Sequence, residues 1–166
     1  MLKLIRCEFF KLKRKKFIPL VIVSAFMFPI PLTYLMTTPS MMERYTDKAD
    51  AFDGLFNMVL GYGIQFLLPC IIGVLAAILF FMERDNDTFK NLRTIPVTST
   101  KMVVAKILLL FLFGIIFCVA STIVTILCGF RTLEVYGIGY KLFLAVETGI
   151  LITAGTLPLI ALVVFF

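Results

Sequence analysis

The chain has 166 residues, 61% hydrophobic and 16% charged, with a formal net charge of +6 and no histidine; its mean hydropathy is +1.05. A soluble domain averages about 45–50% apolar and about 25% charged residues, and a chain this small buries only about two-thirds of its surface. The excess excludes an ordinary water-soluble domain and points to a bilayer as solvent. Without histidine there is no Ser-His-Asp or Cys-His set, so the reading is that catalytic residues and metal ligands are absent.

In chain order, Met1–Lys16 reads as an amphipathic helix. Leu2, Ile5, Phe9 and Leu12 follow helical spacing, and Lys11, Lys13, Arg14, Lys15 and Lys16 supply a basic anchor. Such a helix lies in the headgroup layer, apolar side down, drawn to anionic lipid. Residues 17–36 carry no charge and form the first span. No A-x-A-like cleavage site follows, so this is a retained helix and not a signal peptide. Pro29 and Pro31 bend or end it, because proline lacks the donor that an interior turn needs. Residues 37–57 hold four acids, Glu43, Asp47, Asp50 and Asp53. An amphipathic helix around Met41–Phe56 and a solvated loop are equally open there.

The second span covers about 58–82 and opens on Gly61-Tyr62-Gly63. Its two glycines allow close backbone approach. Gly73, Ala76 and Ala77 offer a small-residue face, and Gln65 is a lone polar group, read as an interhelix hydrogen bond before a substrate contact. Residues 83–103 then interrupt the apolar pattern. Glu83-Arg84-Asp85 opens the break, Asp87 or Asn86 caps a short helix from Thr88, and Phe89, Leu92 and Ile95 share its apolar face. Pro96 ends that piece. A simple turn needs few residues, and this loop has about twenty. Lys101 and Lys106 flank the next helix and are expected to snorkel to headgroups.

The third span, about 104–130, carries Ser121, Thr122 and Thr125, whose hydroxyls can bond carbonyls one turn back. The fourth, about 142–166, carries one charge, Glu147. It lies about 8 Å past Lys141 along a helix, either solvated from the headgroups or facing another helix or a substrate path. Gly149, Ala154 and Gly155 form a small face, and Pro158 marks a kink. The chain stops at ALVVFF inside an apolar run, so a truncated chain with further helices is the expectation.

The four runs are each long enough to cross a hydrocarbon layer of roughly 30 Å, and they lack the alternation of barrel strands. The fold class is therefore an all-α membrane protein, a single transmembrane domain over 1–166. It has an interfacial N-terminal helix, four transmembrane helices and a short amphipathic cytoplasmic helix between spans two and three. Lys and Arg number seven before span one, two in 37–57, five in 83–106 and two in 131–141. The positive-inside rule places the N-terminus and the 83–106 segment in the cytoplasm. The basic excess thus reports topology and lipid contact, not nucleic acid. Cys7, Cys70, Cys118 and Cys128 form no CxxC pair and read as small buried hydrophobes.

Two stretches carry a family resemblance. Acid–Arg, D-T-F-K-N-L, I-P-V-T-S-T-K and V-V-A-K-I, with Glu83, Asp87, Thr88, Leu92, Pro96, Val97, Thr98, Lys101 and Lys106 at the matching positions, resemble permease subunits of the ABC-2 type. Glu8, Lys11, Leu12 and Arg14 match the interfacial helix of those proteins, while Asp87 stands where glycine is common. The nearest look is to lantibiotic-immunity and bacitracin-type exporters.

The resemblance implies a six-span permease, of which four spans are seen, in a bacterial cell membrane. Its coupling helix would dock on a separate ATP-binding cassette subunit through Phe89 and Leu92, with Glu83 and Arg84 at the rim. It also implies a second permease copy or paralogue and an amphiphilic peptide antibiotic or lipid-like substrate, in self-immunity or resistance. No G-x-x-x-x-G-K-(S/T) loop occurs, so the chain itself is not an enzyme and needs no cofactor; ATP and Mg belong to the partner. A stand-alone proton-coupled efflux transporter using Glu147 is the alternative, and a non-transporting membrane scaffold or sensor is a third.

Overall fold

The computed structural model describes residues 5–6, 8–10, 12, 17–85 and 99–165; for residues 17, 82–85, 99 and 163–165 it describes the backbone alone. The first span is split. Helix α1 (Phe17–Met27) and helix α2 (Pro29–Met36) meet at Phe28. Pro29 and Pro31 supply no N–H there, and their rings crowd the carbonyls of the preceding turn. Thr33 repays part of the loss by donating its hydroxyl to the Pro29 carbonyl at 2.7 Å. The end of α2 is closed by Thr37 and Thr38, which donate to the Tyr34 and Leu35 carbonyls at 2.8 and 2.6 Å.

After a one-turn helix α3 (Pro39–Met42), helix α4 (Lys48–Met58) runs without a break through a wide π-helical segment (Val59–Ile64) into α5 (Gln65–Asp85). The helix that carries the second span therefore begins well before residue 58, and the helical alternative for the acidic segment holds from Lys48 onward. The wide segment sits where Gly61, Gly63 and Pro69 weaken the ordinary i→i−4 ladder. Lys48–Phe81 is 34 residues long, about 51 Å at the α-helical rise against a hydrocarbon layer of roughly 30 Å. Helix α4, with Asp50 and Asp53 on it, is the part in excess.

Helix α6 (Ser99–Thr132) and helix α7 (Ile138–Phe165) complete the bundle. Gly137 joins them with φ +63°, a left-handed conformation that costs a side-chain-bearing residue about 1–2 kcal/mol. The end of the bundle holding the termini of α5 and α6 is the near end; the end holding α4 and the α6–α7 link is the far end. Helix α6 is central. Half of its apolar window is buried, against 22–33% for the other three spans, and it packs on α1, α2, α5 and α7. Leu68, Ile72, Leu75, Leu109, Leu110, Phe113 and Phe117 form the middle of the core. Leu20, Val23, Met27, Tyr34, Phe66, Leu127, Phe143 and Leu151 remain more than half exposed, as fits helices whose outer solvent is lipid.

The N-terminal segment differs from expectation in what it covers. Its described residues are helical, and Leu12 and Glu8 are buried. The Phe9 ring stacks on Phe113 of α6 with centroids 6.1 Å apart. The face formed by Ile5, Glu8, Phe9 and Leu12 therefore rests on protein as well as lipid. Of the basic anchor, Lys11, Lys13, Arg14, Lys15 and Lys16 lie outside the described residues.

Helices α6 and α7 cross at Gly114 and Gly149. A Cβ on Gly149 would lie 3.2 Å from the Gly114 carbonyl oxygen and 3.3 Å from Cys118 Sγ, and one on Gly114 would come closer than 3.0 Å to Thr153 Oγ1. Of the small face expected on the fourth span, Gly149 makes this contact, whereas Ala154 and Gly155 are exposed. In the second span Gly63 packs under the Phe28 ring, while nothing lies within 4 Å of a Cβ on Gly61. Gly114→Leu is expected to destabilise by about 1–3 kcal/mol through overpacking, seen as a lower melting temperature of the chain in detergent. Gly61→Ala is the silent control.

Candidate functional site

Two polar clusters interrupt the apolar core, one at each end. At the near end Lys106 of α6 is 3% exposed. Its ammonium donates to the Leu79 carbonyl of α5 at 2.7 Å and lies 4.7 Å from the centre of the Phe80 ring. This corrects the expectation that Lys106 snorkels to headgroups. The side chain turns inward because a helical carbonyl and an aromatic face are within reach on the neighbouring helix, and both attract a cation. Lys101, one and a half turns earlier, is exposed. Glu8 and Lys106 each make polar interactions in this region. The clamp joins α5 and α6 a few turns from the 86–98 link, so the two helices that bracket the link are tied together.

At the far end Lys141 of α7 is 4% exposed. Its ammonium pairs with Asp53 of α4, and the Tyr136 hydroxyl donates to the same carboxylate. Three aromatic rings surround the ammonium: Tyr136 at 4.5 Å, Phe52 at 4.8 Å and Phe56 at 5.2 Å from the ring centres. Phe52 in turn packs on Gly129 of α6, where a Cβ would lie 2.7 Å from its ring. The fold brings these groups together in a simple way. Gly137 reverses the chain, the Lys141 amide closes the first turn of α7 on the Gly137 carbonyl at 3.0 Å, and the side chain then faces α4. The Asp53 carboxylate holds the Tyr136 phenol above its ordinary pKa, so this hydrogen bond persists throughout the neutral range. Sequence reasoning missed the cluster: Lys141 counted only as a link charge and Asp53 only as one of four loop acids.

The other candidates are dispersed. Glu83 and Arg84 fall in the last turn of α5, and Asp87, Thr88, Phe89, Leu92 and Pro96 lie outside the described residues. Gln65 and Glu147 are both exposed, on α5 and α7. Thr125 bonds the Ser121 carbonyl at 2.9 Å as expected, whereas Thr122 Oγ1 is buried with no hydrogen-bond partner among the described residues. Of the cysteines, Cys118 is buried but Cys70 is exposed. Cys70 lines an apolar groove of about 150 Å³ between α1 and α5, with Leu20, Val21, Ile71, Val74 and Leu75. The groove presents no polar side chain to a ligand.

Four helices long and apolar enough to cross a membrane, and a buried cation tying the two that flank the polar interruption, describe a membrane-spanning bundle. The family model described as ABC-2 family transporter protein matches residues 4–166. The chain belongs to the ABC-2 transporter family. Neither the curated proteins nor the solved structures gave a match to it. Membership makes this ABC-2 chain a multi-pass membrane permease of a transporter and implies pairing with an ATP-binding cassette subunit.

Proposed function

We propose that this chain is the membrane-spanning permease subunit of an ATP-driven exporter whose ATPase is a separate subunit. The family match over residues 4–166 carries the reading. The sequence contains no phosphate-binding G-x-x-x-x-G-K-(S/T) loop, which supports placing ATP and Mg on the partner. The near end faces the cytoplasm of a bacterial cell, because the basic N-terminus and the basic 83–106 segment both lie there. The 83–103 segment is the coupling element. Phe89 and Leu92 enter an apolar groove of the ATPase, with Glu83 and Arg84 at its rim, in the manner of buried anchors within a polar border. A second permease copy or paralogue completes the pathway. The cargo is an amphiphilic peptide antibiotic or lipid-like molecule, moved outward in self-immunity or resistance.

The exposed Glu147 faces none of the described polar groups, so the proton-coupled alternative gains no support from its position. The test is co-purification with the ATP-binding subunit. Phe89→Asp and Leu92→Asp are each expected to abolish it by placing a charge in an apolar pocket, a loss of about 2–4 kcal/mol for a central anchor, or roughly 30- to 1,000-fold in affinity. Complexes that survive both substitutions unchanged would refute this docking.

A further inference from the structure

The far-end cluster has no part in docking an ATPase, yet it is the most heavily built polar contact among the described residues. It lies at the end of one continuous rod. From Lys48 to Asp85 the chain is helical throughout, passing through the wide segment Val59–Ile64. One end of this rod enters the 86–98 link. The other carries Asp53, which grips Lys141 of α7. Displacing the near end tilts the rod, and among the described residues its far end is held by one ion pair to the fourth span, one hydrogen bond from Tyr136 on the α6–α7 link and the packing of the Phe52 and Phe56 rings.

We propose that Asp53 and Lys141 form a latch that holds the far end of the permease closed, and that its release is a step of the transport cycle. The inference rests on the proposed function for the driving force, but not for the existence of the latch. Three observations point to a contact that opens. First, the two partners are unequally buried: the Lys141 side chain is 5% exposed and that of Asp53 40%. Separation thus returns the carboxylate to water with little reorganisation, and the ammonium gains the hydration it lacks when closed. Second, Tyr136, the third member, lies on the α6–α7 link and not on a packed helix, and Gly137 beside it has open space around it. Third, the wide segment gives the rod a place to bend between latch and link. Such π segments are uncommon and recur at functional positions. Lys141 is thus a positioning residue: it sets which arrangement of α4 and α7 predominates and touches no substrate in doing so.

The test is a distance measurement between spin labels at Asn57→Cys and Gly139→Cys, with Cys7, Cys70, Cys118 and Cys128 replaced by alanine, on the full chain in lipid nanodiscs. Asn57 is exposed, and a Cβ on Gly139 meets nothing within 4 Å. The unsubstituted pair is expected to give one short distance. Asp53→Asn is expected to add a longer population, because Lys141 then lacks a counter-charge and regains water only by separation. Lys141→Met is expected to add the longer population too, and Lys141→Arg, which keeps a cation among the three rings, to retain the short one. A purely structural staple predicts a lower melting temperature with a single unchanged distance for all three variants, and that result overturns the latch.

In the complex that hydrolyses ATP, vanadate trapping is expected to move the unsubstituted chain to the longer distance. An unchanged distance in that active complex overturns the step in the cycle. Failure of any ATPase to co-purify would instead overturn the proposed function, and the Asp53→Asn and Lys141→Met arms would still decide the latch.

Discussion

Asp53→Ala is expected to destabilise the chain by about 1–3 kcal/mol, less than for a fully buried pair, because only the Lys141 side is buried, at 5% side-chain exposure against 40% for Asp53. The reason is the residue left behind. Lys141 is 4% exposed and would be left without its carboxylate. The three aromatic faces offset part of this, at about 0.5–2 kcal/mol for a cation–π contact, but none of them carries a full negative charge. Lys141→Met should be milder, within about 1.5 kcal/mol of the parent. A side chain of similar length then fills the space among Tyr136, Phe52 and Phe56. The surviving Asp53 side chain is 40% exposed and keeps the Tyr136 hydroxyl. The double variant Asp53→Ala/Lys141→Met should therefore be more stable than Asp53→Ala alone. Thermal and denaturant unfolding in detergent measure all three, and equal losses from the two single substitutions would contradict this account.

Lys106→Met is expected to leave the fold intact and to loosen α5 from α6. Methionine keeps the length of the side chain and remains compatible with a buried apolar site. The losses include the charge-assisted hydrogen bond to the Leu79 carbonyl at 2.7 Å and the cation over the Phe80 ring. A hydrogen bond to a charged group contributes about 1.5–3 kcal/mol, or roughly 10- to 150-fold in the population of a state in which the two helices part. Labels at Phe81→Cys and Val103→Cys, both exposed positions on the two helices, read this directly. The parent should show one narrow distance that nucleotide trapping does not change, because the pair moves as a unit. Lys106→Met should show a broadened distribution while ATP hydrolysis by the partner continues. A narrow distribution in the variant would mean that packing alone holds the pair.

These two lysines also mark the boundary of what the sequence discloses. Spans are legible because hydropathy is a local property: an uncharged run such as residues 58–82 has the same meaning wherever its neighbours lie. The break between α1 and α2 was legible for a similar reason, since Pro29 and Pro31 act on their own turn. The amphipathic pattern of Ile5, Phe9 and Leu12 was legible as a pattern, but what covered it was not. The helical alternative around Met41–Phe56 stayed level with a loop, because short amphipathic segments depend on the surface they meet, here through the buried Phe52, Leu55 and Phe56.

By itself, then, the order of residues determined the solvent, the number of crossings and the positions of the proline breaks, all consequences of short-range chemistry along one chain segment. Only the folded bundle decided which charges are structural. Asp53 and Lys141 stand 88 positions apart, and Lys106 turns inward toward Leu79, 27 positions away. A lysine at a helix end reaches headgroups or a neighbouring helix with equal ease, and the choice is made by which acceptor the packing brings within about 3 Å.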